Sequence, residues 1–189
     1  MSEPMEEEVK EAIQHLKQGD INGLEPLVRR YQLKALRVAY LIVRDHQLAE
    51  DIVEEAFLRA FDRIHQFDSS RAFEPWFLKI VINMARRAAV RYGRQTRLLD
   101  EDPQVLSTRG PNLNIRALET DAEYADALQA LWIALGMLDV DQRVVLIQRY
   151  YLGLSESEIA CRTQSPLGTI KWRLHAARKF LRRLLQADL

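Results

Sequence analysis

The stretch LSESEIACRTQSPLGTIKWRLHAARKFLRRLL, residues 154–185, has the pattern of a short helix, a tight turn and a longer helix. Ser155 precedes the first apolar positions and Glu158 follows three residues later, which is the arrangement of a helix-capping box. Ser165 and Pro166 predict the start of the second helix, with Ser165 as its cap and Pro166 at the first helical position. The pattern is typical of a helix-turn-helix.

The second of these helices has two contrasting faces. The residues expected to be buried are Ile170, Leu174, Ala177, Leu181 and Leu184. The residues expected on the opposite face are Lys171, Trp172, His175, Lys179, Arg182 and Arg183. A Trp among cations is unusual on a merely solvated face and favours contact with DNA, with cations on phosphates and other side chains at base edges. A basic helix that binds a membrane surface or an acidic protein is the alternative, and the capped helix before it argues against that.

Charge is unevenly distributed along a chain whose formal net charge is zero. Residues 45–55 contain five acidic side chains and no Lys or Arg. Residues 75–99 contain six basic side chains and no acid, and residues 159–187 contain seven and no acid. Two basic segments and a distinct acidic one indicate two contacts with a polyanion and a different partner for the acidic segment. Chance segregation among solvated helix faces is the alternative.

Helical periodicity elsewhere predicts an all-α protein, because no segment alternates like a strand. The predicted helices are residues 6–18, 24–43, 48–65, 74–92, 121–138, 141–151, 155–162 and 166–185. Residues 93–120 contain two Gly and two Pro and lack an apolar repeat, which predicts a linker. We therefore expect two small helical domains joined by a flexible linker, with boundaries at residues 1–95, 96–120 and 121–189.

Several function classes are disfavoured by composition. The chain has no apolar run of about 18 residues and no secretory signal at its acidic N-terminus, so we expect a cytoplasmic protein that does not insert into a membrane. The single cysteine, Cys161, and the scattered histidines predict neither a disulfide nor a metal site. The sequence lacks paired catalytic carboxylates, a Ser–His–Asp set and a Gly-rich phosphate loop. We expect no catalytic residue, no cofactor and no enzymatic activity.

The helix predicted at residues 48–65 has an acidic face. Its expected buried side consists of Ile52, Val53, Ala56, Phe57, Ala60 and Ile64. Its other side consists of Asp51, Glu54, Glu55, Leu58 and Asp62. An exposed Leu inside an acidic stripe indicates a docking site for a helical partner with basic and apolar groups. A simply solvated face is the alternative.

The helix predicted at residues 74–92 combines aromatic and basic side chains. Its expected core stripe consists of Phe77, Val81, Met84 and Ala88. A different face carries Trp76, Lys79, Asn83, Arg86 and Arg87. This set fits single-stranded or distorted DNA, because cations hold phosphates while aromatic rings stack on bases. The polar segment before it, residues 67–71, is suited to hold an unstacked base. The alternative is a Trp76 packed into the core beside solvated cations.

Taken together, these segments resemble an extracytoplasmic-function (ECF) sigma factor, a member of a compact two-domain group of bacterial transcription initiation factors. The resemblance covers residues 24–185 and consists of motifs in the family's order. The first-domain motifs are LVRRY at 27–31, AEDIVEEAFLRAF at 49–61 and FEPWFLKI at 73–80, followed by Asn83. The second-domain motifs are QRVVL at 142–146, YYLGLS at 150–155, EIA at 158–160 and PLGTIK at 166–171.

The resemblance implies a role for each surface. The residues expected to bind core RNA polymerase, at the β′ clamp helices, are Asp51, Glu54, Glu55 and Leu58. The residues expected at the −10 element, where DNA is melted and a non-template base captured, are Phe67, Ser69, Arg71, Trp76, Lys79, Asn83, Arg86 and Arg87. The residues expected to recognise the −35 element are Ser165, Thr169, Lys171, Trp172, His175, Arg178 and Lys179. The resemblance also implies contact with the β flap and inhibition by an anti-sigma protein.

Four positions depart from the family pattern. Glu54 stands where Gln is usual, and Arg87 stands where an acid is frequent. Gln164 occupies the place of the usual Gly in the helix-turn-helix turn, and Trp172 replaces a small polar residue. We expect Glu54 to alter the polymerase contact, Arg87 to strengthen the basic face, and Trp172 to change the −35 sequence that is recognised.

The main alternative function is a helix-turn-helix regulator that acts without replacing the sigma subunit. Response regulators carry a similar C-terminal motif, but their first half is a parallel α/β receiver or a ligand-binding domain. The first half of this chain predicts neither strands nor an acidic receiver pocket. An adaptor without a DNA role is disfavoured by the two acid-free basic helices.

Overall fold

The computed structural model describes the backbone of residues 3–98 and 122–187 and the side chains of residues 6–93 and 128–185. Over these ranges the chain forms helices and turns without a strand, which confirms the all-α prediction. Most of the predicted linker lies outside the described residues, and residues 96–98 continue a helix. No helix in the described ranges is both long enough and apolar enough to span a membrane. The chain divides into two compact units, residues 1–87 and 88–189.

The first unit consists mainly of four helices. They are α1 (Glu3–Lys17), α2 (Leu24–Val43), α3 (His46–Asp62) and α4 (Phe73–Leu98), with short 3₁₀ turns at Ile21–Gly23 and Ile64–Gln66. The boundary between the two units falls within α4. Each helix places one apolar stripe inward, as a period of 3.6 residues requires. Fully buried side chains at the centre of the unit include Leu16, Leu27, Ile42, Ile64 and Phe77.

The turn between α2 and α3 is defined by two neighbouring residues. Arg44 ends α2 in the left-handed conformation, and its N–H donates to the Tyr40 carbonyl. Asp45 then caps α3, because its carboxylate accepts a hydrogen bond from the Leu48 amide at 2.9 Å. This tight connection lets α2 and α3 pack against each other, and it determines which face of α3 meets solvent.

The second unit contains the remaining helices. They are α5 (Ala122–Met137), α6 (Val140–Leu146), a π-helical turn (Ile147–Tyr151), α7 (Glu156–Thr163) and α8 (Leu167–Ala187). The single helix predicted at residues 141–151 is therefore an α-helix that continues as a π-helix. Ile147 and Gln148 are both buried in this turn, and the side-chain amide of Gln148 donates to the Val144 carbonyl at 3.5 Å.

An apolar cluster lies at the centre of the described part of the second unit. Its buried members are Leu138, Val145, Leu146, Leu154, Ile159, Ile170, Leu174 and Ala177. These residues come from the junction of α5 and α6, from α6, from the loop before α7, and from α7 and α8. The cluster therefore places α7 and α8 as a rigid pair.

The capping box predicted at the start of α7 is confirmed. The Glu158 amide donates to Ser155 Oγ at 3.2 Å, and the Ser155 amide donates to Glu158 Oε2 at 2.7 Å. Hydrogen bonds from Ser155 lower the pKa of Glu158 below its usual value, so the carboxylate stays charged and accepting to lower pH than an ordinary Glu. Two amides that would lack partners at the helix start are thereby satisfied.

Removing this cap should weaken α7. Ser155→Ala leaves the Glu158 amide without its acceptor, and loss of a Ser cap costs about 1 kcal/mol. Amide hydrogen exchange within α7 should therefore accelerate about fivefold. Ser157→Ala, at an exposed position of the same helix, is the matched control. Equal exchange rates in the two variants would contradict the capping role.

Candidate nucleic-acid interface

The two faces of α3 are as the sequence predicted. The buried residues are Ala49, Ile52, Val53, Ala56, Phe57 and Ala60, and Ile64 is buried in the following turn. The exposed residues of the opposite face are Asp51, Glu54, Glu55, Leu58 and Asp62. Leu58 is 54% exposed. An apolar side chain therefore stands in solvent within a row of carboxylates, an arrangement suited to a partner that is both apolar and basic.

Part of the negative charge of α3 is engaged within the helix. Glu55 accepts hydrogen bonds from Arg59 Nε at 2.9 Å and from Arg59 Nη2 at 2.6 Å. Asp51 accepts a weaker one from the Gln47 amide at 3.3 Å. Such exposed pairs contribute little to stability, so they can exchange for contacts with a partner.

Trp76 lies at the edge of a cluster of aromatic rings at the start of α4. Its ring centroid is 5.1 Å from that of Phe67 and 5.6 Å from that of Phe73. The Phe67 and Phe73 rings are 5.6 Å apart and inclined at 81°, a favourable edge-to-face pair. Both phenylalanines are buried, whereas Trp76 is partly exposed. The indole is supported by two rings and is still accessible to solvent. This position is intermediate between the two alternatives that the sequence left open, a Trp76 that contacts DNA and a Trp76 packed into the core.

The buried position of Phe67 corrects one of the predicted DNA contacts. Its side chain is 3% exposed, so its ring has no surface on which a base could stack in this conformation. The ring packs against Phe73 and Trp76 instead of facing a base. Phe67 supports the indole from within the protein.

The segment after Phe67 is a compact turn centred on Asp68. The Asp68 carboxylate accepts hydrogen bonds from the Ser70 amide at 3.0 Å, the Ser70 hydroxyl at 2.7 Å and Arg71 Nε at 3.2 Å. The bonds from Ser70 lower the pKa of Asp68, with a smaller contribution from the Arg71 charge. Ser69 and Arg71 are exposed. The turn thus presents a hydroxyl and a guanidinium to solvent, directly after the residue whose ring packs on Trp76.

Lys17 also contacts this turn, although the sequence pattern gave no sign of it. Its ammonium donates to the Phe67 carbonyl at 3.0 Å and to Ser69 Oγ at 2.8 Å. These partners are 50 and 52 positions away along the chain. Local periodicity carries no information about such a contact, because it depends on how α1 packs on the rest of the unit.

The basic face of α4 is exposed as predicted. Lys79, Asn83, Arg86 and Arg87 are all exposed, and they share the helix face that begins at Trp76. The opposite stripe is buried at Phe77, Val81 and Met84, and partly buried at Ala88. An amide, three cations and a supported indole therefore line one surface, with the chemistry needed to hold a nucleic-acid strand.

In the second unit, α7 and α8 form the predicted helix-turn-helix. Gln164 ends α7 at φ +52°, the left-handed conformation that Gly adopts most easily. The turn that usually contains Gly therefore keeps its geometry with Gln.

The start of α8 differs from the prediction at Ser165. Its hydroxyl donates to the Thr163 carbonyl at 3.4 Å rather than capping the helix. The Pro166 carbonyl accepts the first helical hydrogen bond, from the Thr169 amide at 2.9 Å, and α8 begins at Leu167. A Ser hydroxyl can bond either neighbouring carbonyls or amides, which the sequence alone does not distinguish.

The faces of α8 follow the prediction closely. Ile170, Leu174 and Ala177 are buried, while Leu181 and Leu184 are partly buried. The exposed residues of the opposite face are Lys171, Trp172, His175, Lys179, Arg182 and Arg183. Arg178 is also exposed, and Thr169 and Ser165 are partly exposed. Trp172 is 64% exposed, so most of its indole lies outside the protein among cations.

An ion pair helps to hold α8 in place. Arg173 Nη2 lies 2.5 Å from Asp141 Oδ2, and both side chains are mostly shielded from solvent. Because Asp141 belongs to α6, the pair ties α8 to the preceding helices. The charge of Arg173 is thus used inside the unit, while the cations on the exposed face remain available to a ligand.

Gly168 leaves a gap in the same exposed face. A Cβ at this position would meet no other atom within 4 Å, so internal packing does not require glycine. Glycine near a helix start lowers helix stability by roughly 0.5–1 kcal/mol relative to Ala. The absence of a side chain one helical turn before Trp172 leaves room for close approach of a ligand backbone.

Other site types find less support. Among the residues that the structure describes, no group of three His, Cys, Asp or Glu side chains could hold a metal ion. Cys161 is an exposed free thiol on α7.

Both halves of the chain match known sequence profiles. Residues 27–95 match sigma-70 region 2, and residues 128–181 match sigma-70 region 4. The RNA polymerase sigma-H factor of Pseudomonas aeruginosa is 30% identical over 185 residues, covering 96% of this chain and 95% of the relative. The ECF RNA polymerase sigma factor SigW of Bacillus subtilis is 29% identical over 188 residues, covering 96% of this chain and 99% of the relative.

Two solved structures share the fold. CnrH, in complex with the cytosolic domain of CnrY, superposes with a TM-score of 0.64 at 20% identity, covering 96% of this chain and 99% of that one. The sigma factor RpoE of Bartonella quintana, in complex with the anti-sigma factor NepR, superposes with a TM-score of 0.66 at 23% identity, covering 88% of this chain and 98% of that one. At these identities the likeness shows the fold alone.

Proposed function

We infer the function of this chain from its family, because it belongs to the extracytoplasmic-function group of sigma-70 factors. We propose that it binds core RNA polymerase, directs initiation at specific promoters and has no catalytic activity of its own. The observation that carries the proposal is the sorting of exposed side chains on three helices. The face of α3 is acidic around Leu58, whereas the faces of α4 and α8 are basic and each includes a solvent-accessible Trp.

We assign these roles to domains in the boundaries expected from the sequence. Residues 1–95 would bind the polymerase and melt the −10 element, and residues 121–189 would recognise the −35 element. Residues 96–120 would connect them. The family membership supports a cytoplasmic location, where polymerase and promoter DNA are found.

The acidic face of α3 is the proposed polymerase contact. Asp51, Glu54 and Glu55 repel phosphates, so this face is unsuited to DNA and suited to a basic protein surface. Leu58 supplies the apolar group that such an interface buries at its centre. We propose that the β′ clamp helices occupy this face.

Leu58→Arg should weaken binding to core RNA polymerase roughly 30-fold, the effect of losing about 2 kcal/mol at an interface centre. Ile21→Arg is the matched control, because Ile21 is similarly exposed but lies on the 3₁₀ turn between α1 and α2. Affinity is measured by titrating labelled protein with core enzyme. If both variants bind like the unaltered protein, α3 is not the polymerase contact.

The −10 site is proposed to consist of Trp76, the turn at residues 68–71 and the basic face of α4. The indole would stack on an unpaired base of the non-template strand while Phe67 and Phe73 keep it from turning away. Lys79, Arg86 and Arg87 would hold the phosphates of the strand, and Asn83, Ser69 and Arg71 would supply polar contacts.

Trp76→Ala should reduce open-complex formation about tenfold or more, since stacking of one base on an aromatic side chain is worth about 1–3 kcal/mol. Permanganate reactivity of unpaired thymines reports opening, and a separate titration reports core binding, which should stay unchanged. Trp76→Phe should retain part of the activity because it keeps a stacking surface. An equal loss of promoter opening and of polymerase binding would instead show that Trp76 serves the hydrophobic core of the protein.

The −35 site is proposed to be the exposed face of α8. Lys171, Arg178 and Lys179 would contact phosphates or base edges, and Thr169, His175 and Ser165 would add polar contacts at the helix start. Trp172 adds a large apolar surface, for which the thymine methyl is the matching group in the major groove. Gly168 would allow the first turn of α8 to approach the DNA closely.

Trp172→Ala should lower −35-dependent initiation about tenfold and leave core binding intact, since one specific base contact is worth about 1–3 kcal/mol. Run-off transcription on templates with intact and scrambled −35 elements measures the effect. Tyr150→Ala is the control and should change promoter choice little, because Tyr150 is a similarly exposed aromatic side chain that lies on the π-helical turn, outside α8. If polymerase carrying the Trp172→Ala variant still discriminates between the two templates like polymerase carrying the wild type, the assignment is refuted.

We also propose that an anti-sigma protein inhibits this factor. CnrH is found with the cytosolic domain of CnrY and RpoE with the anti-sigma factor NepR. In this chain, exposed apolar groups on the proposed polymerase and DNA surfaces, Leu58 and Trp172, are the side chains that an inhibitor would cover.

A further inference from the structure

Lys17 connects the first helix to the turn beside Trp76. It is the last residue of α1, and its ammonium donates to the Phe67 carbonyl and to Ser69 Oγ. One of these acceptors belongs to the residue whose ring supports Trp76, and the other is an exposed hydroxyl of the turn. A single side chain therefore restrains both the backbone of the residue that packs on the indole and the exposed hydroxyl two positions later.

The charge of Lys17 is not neutralised by its partners. Both acceptors are uncharged, and in the described part of the chain no carboxylate oxygen lies within 4.0 Å of this ammonium. Three other cations of the first unit, by contrast, have carboxylate partners. Lys10 pairs with Glu7, Lys34 with Glu74 and Arg59 with Glu55. Lys17 thus places a positive charge at the turn, which is where a negatively charged strand would pass.

We propose that Lys17 is a positioning residue of the −10 site, holding the backbone at residues 67–69 so that the Phe67 ring stays packed on Trp76, and providing a positive charge beside the single strand. The proposal rests on the proposed function of this surface. The region 2 match begins at residue 27, so it does not extend to Lys17. The ligand is the phosphodiester backbone of the unpaired non-template strand next to the stacked base.

The test compares Lys17→Met and Lys17→Arg with Lys10→Met in reconstituted polymerase. Lys10 lies two turns earlier on α1 in an exposed pair, so its loss controls for removing a cation from this helix. The DNA probe is a promoter mapped from transcripts that appear when the protein is overproduced. The readouts are permanganate reactivity, core affinity, thermal unfolding and the salt dependence of binding to a pre-melted template.

Lys17→Met should reduce open-complex formation about tenfold, while Lys17→Arg and Lys10→Met stay within about twofold of the wild type. Core affinity and unfolding temperature should not change. The salt slope on the pre-melted template should become shallower by about 0.7, the value for one phosphate contact on a single strand. A purely structural role would leave this slope unchanged.

Three results would overturn the proposal. The first is normal promoter opening by the Lys17→Met variant. The second is a loss of affinity for core polymerase equal to the loss of opening, and the third is unfolding of the variant. In the second and third cases Lys17 would serve the fold. Failure of the wild-type protein to open the promoter would contradict the proposed function itself. The two failures are thus distinguishable.

Discussion

The stacking of Phe57 on Phe77 is the contact on which the first unit depends. The two ring centroids are 4.3 Å apart, and Phe77 is fully buried. This contact joins the buried faces of α3 and α4, while the face of α3 around Leu58 and the face of α4 around Lys79 are exposed. From Phe77 the rings continue through Phe73, at 5.7 Å, to Trp76. One chain of aromatic side chains therefore fixes the acidic face, the basic face and the indole together.

Most of the fold was predictable because helical periodicity is a local property. The inward stripes of α3, α4 and α8 each recur every three or four residues, and burial in the structure follows them. The capping box at Ser155 and Glu158 was also visible, because its two partners are three residues apart. The π-helical turn at residues 147–151 could not be predicted, since its apolar pattern is compatible with an ordinary α-helix.

The features that the sequence did not reveal depend on contacts between distant segments. The ring of Phe67 is buried because α4 brings Phe73 and Trp76 against it. The polar residues that follow Phe67 in the sequence give no indication of this burial. Lys17 reaches the same turn only through the packing of α1. The assignment of single residues to polymerase, −10 or −35 DNA therefore remains a prediction, whereas the sorting of faces by charge is visible in both sequence and structure.

The central claim is that these faces together make a promoter-selecting subunit of RNA polymerase. The most direct test is to reconstitute core polymerase with this protein on genomic DNA of its own host and to map the 5′ ends of the transcripts. We expect discrete start sites, absent with core enzyme alone, that share sequence elements near −10 and −35. Start sites no different from those of core enzyme alone, with a protein that is folded, would contradict it.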